Sequence, residues 1–401
     1  MVMSRTESDS CPGVLRLHEA ADGPLARIRV PGGRLTPEQL QALAEASVEL
    51  GEGNIELTSR GNVQLRRVRD AGALEERLRA AGLLPTASHE RVRNIVASPL
   101  SGRLGGWTDV HPLVPALDAG LQAEPRLAEL PGRVLFTLDD GRGDVSGLGG
   151  DIGVHAIDDT TYALLLAGKD SGVRVPAGEA VDLMLAAAHA FLEVRDGQWR
   201  LHEVPEGSAR VTEQLLATRS GLTTSDESVE VAARQDIPIG WLTQSDNNVA
   251  LGAGIRLGTL PARTAEFIAA IERPILLTPW RSVVITDLDE WTAEQVVRVL
   301  APMGLLFDTN SPWLLVSACA GMPGCAKSLT DVRADVAEAV ESGRVLHSAT
   351  PQSAHEALNA DEIIASGRQH WSGCDRRCGR PRGPATDIIA TTTGYRINPP
   401  A

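Results

Sequence analysis

The 401-residue sequence predicts an α+β protein made by internal duplication, its halves related by a pseudo-twofold axis. Two observations carry that prediction: a helix–strand–Thr–Arg–strand unit that occurs twice about 220 residues apart, and a set of four late cysteines that belongs to neither copy.

In the first copy Thr36 is a natural N-cap, Pro37 suits the first helical position and Gln39 completes a capping box. Leu40, Leu43 and Ala44 recur at helical spacing, and Gly51 marks a stop. Asn54 to Arg60 alternates as a strand, Gly61-Asn62 turns the chain, and Val63-Gln64-Leu65 resumes the alternation. The second copy opens at Gly258-Thr259-Leu260-Pro261 and runs as a helix through Phe267, Ile268 and Ile271. It continues with Ile275-Leu276-Leu277-Thr278-Pro279-Trp280-Arg281 and Ser282-Val283-Val284-Ile285. Leu57-Thr58-Ser59-Arg60 aligns with Leu277-Thr278-Pro279-Trp280-Arg281 when one residue is inserted, which pairs Arg60 with Arg281.

Between the copies Val134–Leu138 and Tyr162–Leu166 read as strands and Val181–Val194 as a helix. The polar stretch from Glu206 to Asp236 reads as the linker between halves. The tail Gly379-Arg380-Pro381-Arg382-Gly383-Pro384 reads as loop. The expected units are 1–85, 86–215, 216–304 and 305–401.

Net charge is −14, which disfavours a nucleic-acid binder. An anionic ligand would be repelled at long range, so its capture asks for a local arginine cluster. No run of apolar residues is long enough to span a membrane, and Met1 to Pro12 lacks the apolar centre of a signal peptide. A cytoplasmic, reducing location is the expectation, and there clustered cysteines read as metal ligands before disulfides.

Cys319 and Cys325 are separated by five residues, with Gly321, Pro323 and Gly324 making a tight loop. Cys374 and Cys378 are separated by three. Four thiolates meet the ligand demand of a 4Fe–4S cluster. A structural zinc site is the rival, although zinc pairs favour shorter spacings in both arms. Unrelated buried thiols are the third possibility. Cys11 lacks a partner. Arg376, Arg377, Arg380 and Arg382 surround the second cysteine pair and either stabilise its charge, orient an anion or form a solvated face.

The cysteine spacing, together with the two Thr/Arg units, resembles the nitrite/sulfite reductase superfamily over nearly the whole chain. Cys11-Pro12-Gly13, Pro31-Gly32-Gly33-Arg34-Leu35-Thr36, Leu277-Thr278-Pro279-Trp280-Arg281, Ala318-Cys319-Ala320-Gly321 and Ser372-Gly373-Cys374 are most similar to the precorrin-3B synthases within it. The resemblance implies two ferredoxin-like half-domains and a 4Fe–4S cluster on Cys319, Cys325, Cys374 and Cys378. It implies Arg60, after Thr58-Ser59, as an active-site cation, and Arg93 and Asn94 of the Arg93-Asn94-Ile95 string as ligand contacts. It makes Asp151-Ile152-Gly153 structural.

Sulfite reductases carry two lysines where this sequence has Arg133 and Leu135. Leucine relays no proton, and a six-electron reduction consumes many. The synthase branch implies a monooxygenase acting on precorrin-3A, hydroxylating C20 with closure of a ring-A acetate to a lactone. Its partners would be molecular oxygen and an external electron donor, a ferredoxin or an NADH-dependent reductase, since no dinucleotide fingerprint is present. A mononuclear non-haem iron is also implied, with Asp109, His111 and His155 offering a two-His-one-carboxylate set. Siroheme is implied only by the reductase alternative; a non-catalytic electron-transfer or tetrapyrrole-carrier protein is the third reading. For the eight carboxylates of precorrin-3A the candidate contacts are Arg60, Asn62, Gln64, Arg66, Arg93, Asn94, Arg133 and Arg281.

Overall fold

A computed structural model of the chain describes residue 9 and residues 11–231, 237–347 and 354–400. The polar N-terminal expectation for residues 1–8, and the linker end at 232–236, fall outside the described residues.

The helix Pro37–Leu50 has the expected start. Thr36 accepts from Gln39 N, and the Gln39 side chain answers to the Thr36 N–H. Leu40, Leu43 and Ala44 are its buried face. It covers a sheet in the order His18–Ala20, Gly23–Ile28, Val63–Leu65, Asn54–Leu57, Thr259–Pro261. The last of these strands comes from the second copy. The second copy forms the matching sheet Gly240–Thr243, Val249–Gly254, Ser282–Leu288, Ile275–Leu277, Arg34–Leu35, whose last strand comes from the first copy. The copies therefore exchange edge strands. Leu260 pairs with Ile55, and Leu35 with Ile275. One apolar core runs through both, joining Leu43, Ile55 and Val63 to Ile268, Ile275 and Ile285. Gly33 lies at the crossing with φ +68°. A Cβ there would fall 2.0 Å from the Leu277 carbonyl oxygen, so only glycine lets the halves close.

The two Thr turns show where the residue-by-residue alignment of the copies shifts. Thr58 N donates to Asn62 O and Thr278 N to Ser282 O, both at 2.9 Å. Thr58 Oγ1 accepts from Arg60 N and Thr278 Oγ1 from Trp280 N. No residue is inserted, so Arg60 corresponds to Trp280, not to Arg281. Arg281 stands at the place of Gly61 and shares its left-handed backbone (φ +58° against +65°).

The remaining residues build two further sheets of common plan. Ile95–Ala97, Phe136–Asp139 and Ile152–Ala156 run parallel, followed by antiparallel Thr161–Leu166 and Lys169–Pro176. Val316–Ala318, Gln369–Ser372 and Thr386–Thr391 run parallel, followed by antiparallel Gly394–Asn398. The helix Ala180–Val194 packs on the first of these sheets, as the spacing predicts. Part of the expected linker departs from its expectation. Residues Gly207–Thr218 form a helix, because Val211 and Leu215, one turn apart, bury against the same core. No helix among the described residues is long and apolar enough to cross a membrane.

Candidate functional site: an arginine-lined cleft beside four thiols

The strand Val316–Ala318 delivers Cys319, whose N–H donates to Trp371 O at 3.0 Å. The loop that follows turns at Gly321, where φ is +68° and Val332 leaves no room for a Cβ. The neighbouring strand Gln369–Ser372 delivers Gly373, whose N–H points at Cys319 Sγ at 3.3 Å. Partial burial, followed by the charges of Cys319, Cys374 and Cys325, pushes the Cys378 thiol up, so the four sulfurs share one electrostatic site. Among the described residues no three of them lie within 4.8 Å of one another. Four thiols on two facing loops are a donor set that an iron–sulfur cluster or a zinc ion could use.

The pseudo-twofold mate of this site carries no thiol. Ser98 follows Ala97 as Cys319 follows Ala318, and its N–H donates to Leu138 O, the counterpart of Trp371. Ser98 Oγ accepts from Asp140 N where Cys319 Sγ accepts from Gly373 N. The place opposite is filled by Asp139, Asp140 and Asp144 gathered around Arg142. Asp139 takes four backbone N–H groups, from Gly141, Gly143, Val145 and Ser146. The network is internally satisfied and reads as structure.

Beside the cysteine loops lies a cleft with about 1360 Å³ of free space, its solvent-filled mouth included. Val316, Ser317, Gln369 and Gly379 line it, so its floor is the sheet and loop that carry Cys319 and Cys378. Among the described residues six arginines line it, Arg60, Arg200, Arg281, Arg368, Arg380 and Arg382, and no carboxylate does. Leu257, Trp280, Trp313 and Leu315 form an apolar wall, and Leu135 and Leu148 a second. Burial, then the charge of Arg200, pulls Arg60 down to about 10. Burial also lowers Arg281, Arg368 and Arg382, with Arg333 adding to the effect on Arg281 and Arg200 to that on Arg382. Guanidiniums strained in this way gain from an arriving anion.

Of the eight contacts expected from sequence, Arg60 and Arg281 line the cleft. The other six have protein partners. Asn62 accepts from Val30 N and donates to Asn94, which in turn donates to Arg91 O and Gly132 O. Gln64 joins Arg27 to Glu56. Arg93 forms a two-point pair with Asp118. Arg133 stacks on Trp199 at 4.7 Å. Arg66 pairs with Asp22 and reaches Gly324 O. Arg200 and Arg368 escaped sequence reasoning altogether, and no local pattern marks them. Arg380 and Arg382 were visible as charge beside the cysteines but not as cleft residues.

Asp151 is fully buried and accepts from Leu135 N, Leu201 N and Arg200, which makes it the anchor of one cleft wall. Asp109, His111 and His155 do not converge. His111 Nε2 meets Pro99 O, and His155 lies against Ser146 and Asp139. Cys11 lies within 3.5 Å of Arg27 and 3.7 Å of Arg29.

Comparison with known proteins agrees with this architecture. Residues 18–81 match the nitrite/sulfite reductase ferredoxin-like half domain. A precorrin-3B synthase of Sinorhizobium sp is 24% identical over 399 residues, covering 97% of this chain and 82% of the relative. A ferredoxin–nitrite reductase of Synechococcus elongatus is 25% identical over 406 residues, covering 89% and 74%. The solved Mycobacterium tuberculosis NirA protein superposes with a TM-score of 0.73 at 19% identity, covering 93% of this chain and 73% of that one. The duplicated halves, the exchanged strands and these likenesses together say that the chain has the duplicated fold seen in NirA, with residues 18–81 similar to the nitrite/sulfite reductase ferredoxin-like half domain.

Proposed function

We propose that the protein is a 4Fe–4S oxidoreductase of the precorrin-3B synthase type, which takes precorrin-3A as substrate in the arginine-lined cleft. The observation that carries this reading is the cleft itself: among the described residues, six guanidiniums, no lining carboxylate and two apolar walls, directly against the four-cysteine loops. A flat tetrapyrrole with acidic substituents asks for that combination of cationic rim and apolar face. The relative with 97% coverage of this chain supports the same branch.

In this reading Arg60, Arg281 and Arg368 bind substrate carboxylates, each charged hydrogen bond contributing roughly 1.5–3 kcal/mol, while Arg200 and Arg380, paired with Asp151 and Asp387, add positive charge to the wall. Trp280, Trp313 and Leu257 pack against the ring and exclude water from it. A bound cluster supplies single electrons. The overall change places one oxygen atom of dioxygen on C20 and releases the other as water, consuming two electrons and two protons from an external donor. The ring-A acetate carboxylate closes to the lactone by adding to the ring carbon bonded to C20 as the double bond between them is consumed, so no further water is lost and the net gain is one oxygen atom.

Leu135 favours this reading over a siroheme-dependent sulfite or nitrite reductase. It lines the cleft where the reductases keep a lysine, and it can neither hold an oxyanion nor deliver a proton. The nitrite-reductase relatives keep that alternative in the test. Protein purified without air should contain iron and acid-labile sulfide and show broad iron–sulfur absorption without siroheme bands. Given precorrin-3A, reductant and air, it should yield a product heavier by one oxygen atom. Siroheme bands with nitrite or sulfite turnover would replace this reading by the reductase, and an unchanged product mass would leave only electron transfer or carriage.

A further inference from the structure

Glu56 sits on the strand Asn54–Leu57, 5% exposed, at the face of the first half-domain that meets the cysteine loop. Its carboxylate lies 2.7 Å from Arg333 Nη1 and 3.6 Å from Arg66 Nη1, and accepts from Gln64 Nε2 at 3.2 Å. Each arginine continues to the backbone of the loop. Arg66, held by Asp22 at 2.8 and 2.9 Å, donates through Nη2 to Gly324 O at 3.0 Å. Arg333, in the first turn of the helix Val332–Glu341, donates through Nε to Cys319 O at 3.4 Å. The carbonyls are those of the first cysteine and of the residue before the second. Gly324 bears an independent mark of the same contact, since a Cβ there would lie 2.6 Å from Arg66 Nη2.

We propose that Arg66, Glu56 and Arg333 are positioning residues that present the Cys319–Cys325 loop and set the reduction potential of the cluster bound there. The proposal rests on the cluster reading above. The physical reason is charge. A cluster on four thiolates is anionic and gains one more negative charge on reduction. Guanidiniums bonded to its loop favour the reduced form, and the buried Glu56 carboxylate opposes it. The two signs predict opposite effects from one triad.

The experiment uses the full chain, purified without air, with midpoint potentials read from a mediated titration followed by the electron paramagnetic resonance of the reduced cluster. Arg333→Gln should move the midpoint to more negative values and Glu56→Gln to more positive ones, while Arg333→Lys, which keeps the charge, should stay near the parent. Arg66→Ala should release iron to a chelator about tenfold faster than the parent. Gly324→Ala should do the same in the parent background but add nothing to Arg66→Ala. Midpoints that do not move, or that move in one direction for both charge variants, overturn the proposal and leave the cluster intact as a reading. A parent protein without iron and sulfide overturns the cluster reading itself.

Discussion

Arg60 is the residue on which sequence and structure meet most directly. The Thr58-Ser59-Arg60 step marks it in the sequence, and the turn sealed by Thr58 holds it in the cleft wall. Its side chain makes no hydrogen bond or ion pair with a described residue, and the largest charge acting on it is that of Arg200, ahead of Cys11 and Asp151, so it is left for the ligand. Arg60→Ala is expected to weaken substrate binding by roughly ten- to a hundredfold, the equivalent of one charged hydrogen bond, with cluster content unchanged. Fluorescence or absorbance titration with precorrin-3A measures it, and unchanged affinity removes Arg60 from the site. Cys374→Ser should lower bound iron and sulfide in metal analysis, and full retention of both would contradict the ligand assignment. Asn62 and Asn94 teach the opposite lesson. Their motif was readable, yet both are buried and spend their polar groups on one another and on the backbone. A motif shows that a residue type is needed at a place, and only the fold shows whether the need is for binding or for bracing.

At the scale of elements the sequence was clearest where local chemistry decides. The capping box at Thr36, the helix Ala180–Val194 and both cysteine loops follow from caps, periodicity and glycines. It was least clear where tertiary contact decides. The helix Gly207–Thr218 has a narrow apolar face and needed the neighbouring core to be recognised. The two Thr turns likewise look one residue apart in sequence and are superposable in hydrogen bonding. This equivalence gives Arg281 a backbone conformation that its counterpart Gly61 adopts without strain. Arg281→Gly should therefore stabilise the fold by about 1 kcal/mol against denaturant while weakening ligand binding, since the guanidinium in the cleft wall is lost. Destabilisation in a urea titration would show that the side chain contributes more than its backbone costs.

At the scale of the molecule, duplication has left two equivalent places, one with thiols and one with carboxylates. Burial, and next the charge of Asp139, pushes Asp144 up to about 7 from an ordinary value of 3.8. Because the folded-state value is raised, the folded protein binds the Asp144 proton more tightly than the unfolded chain does between those two values. The contribution of Asp144 to stability should be full below about pH 4 and be lost as pH rises toward 7, by an amount on the order of a few kcal/mol. Asp144→Asn should flatten that decline in urea midpoints measured from pH 5 to 8, and an unchanged slope would assign it to other groups. The arginines that meet in the cleft come from five separate segments, and their meeting could not be read from one sequence. Arg60 and Arg281 in particular are brought together by half-domains whose edge strands pair across more than two hundred residues.

The traded edge strands bind the two halves more strictly than a shared core alone would. Arg34–Leu35 completes the sheet of the later copy and Thr259–Pro261 that of the earlier one. Cleaving the polypeptide after the helix Gly207–Thr218 and expressing the pieces apart should thus yield two insoluble fragments, each missing a border that only its sibling can provide. Made together in one cell, the pieces should reassemble and co-purify as a stoichiometric pair, and either piece folding alone would show that the borrowed strand is dispensable.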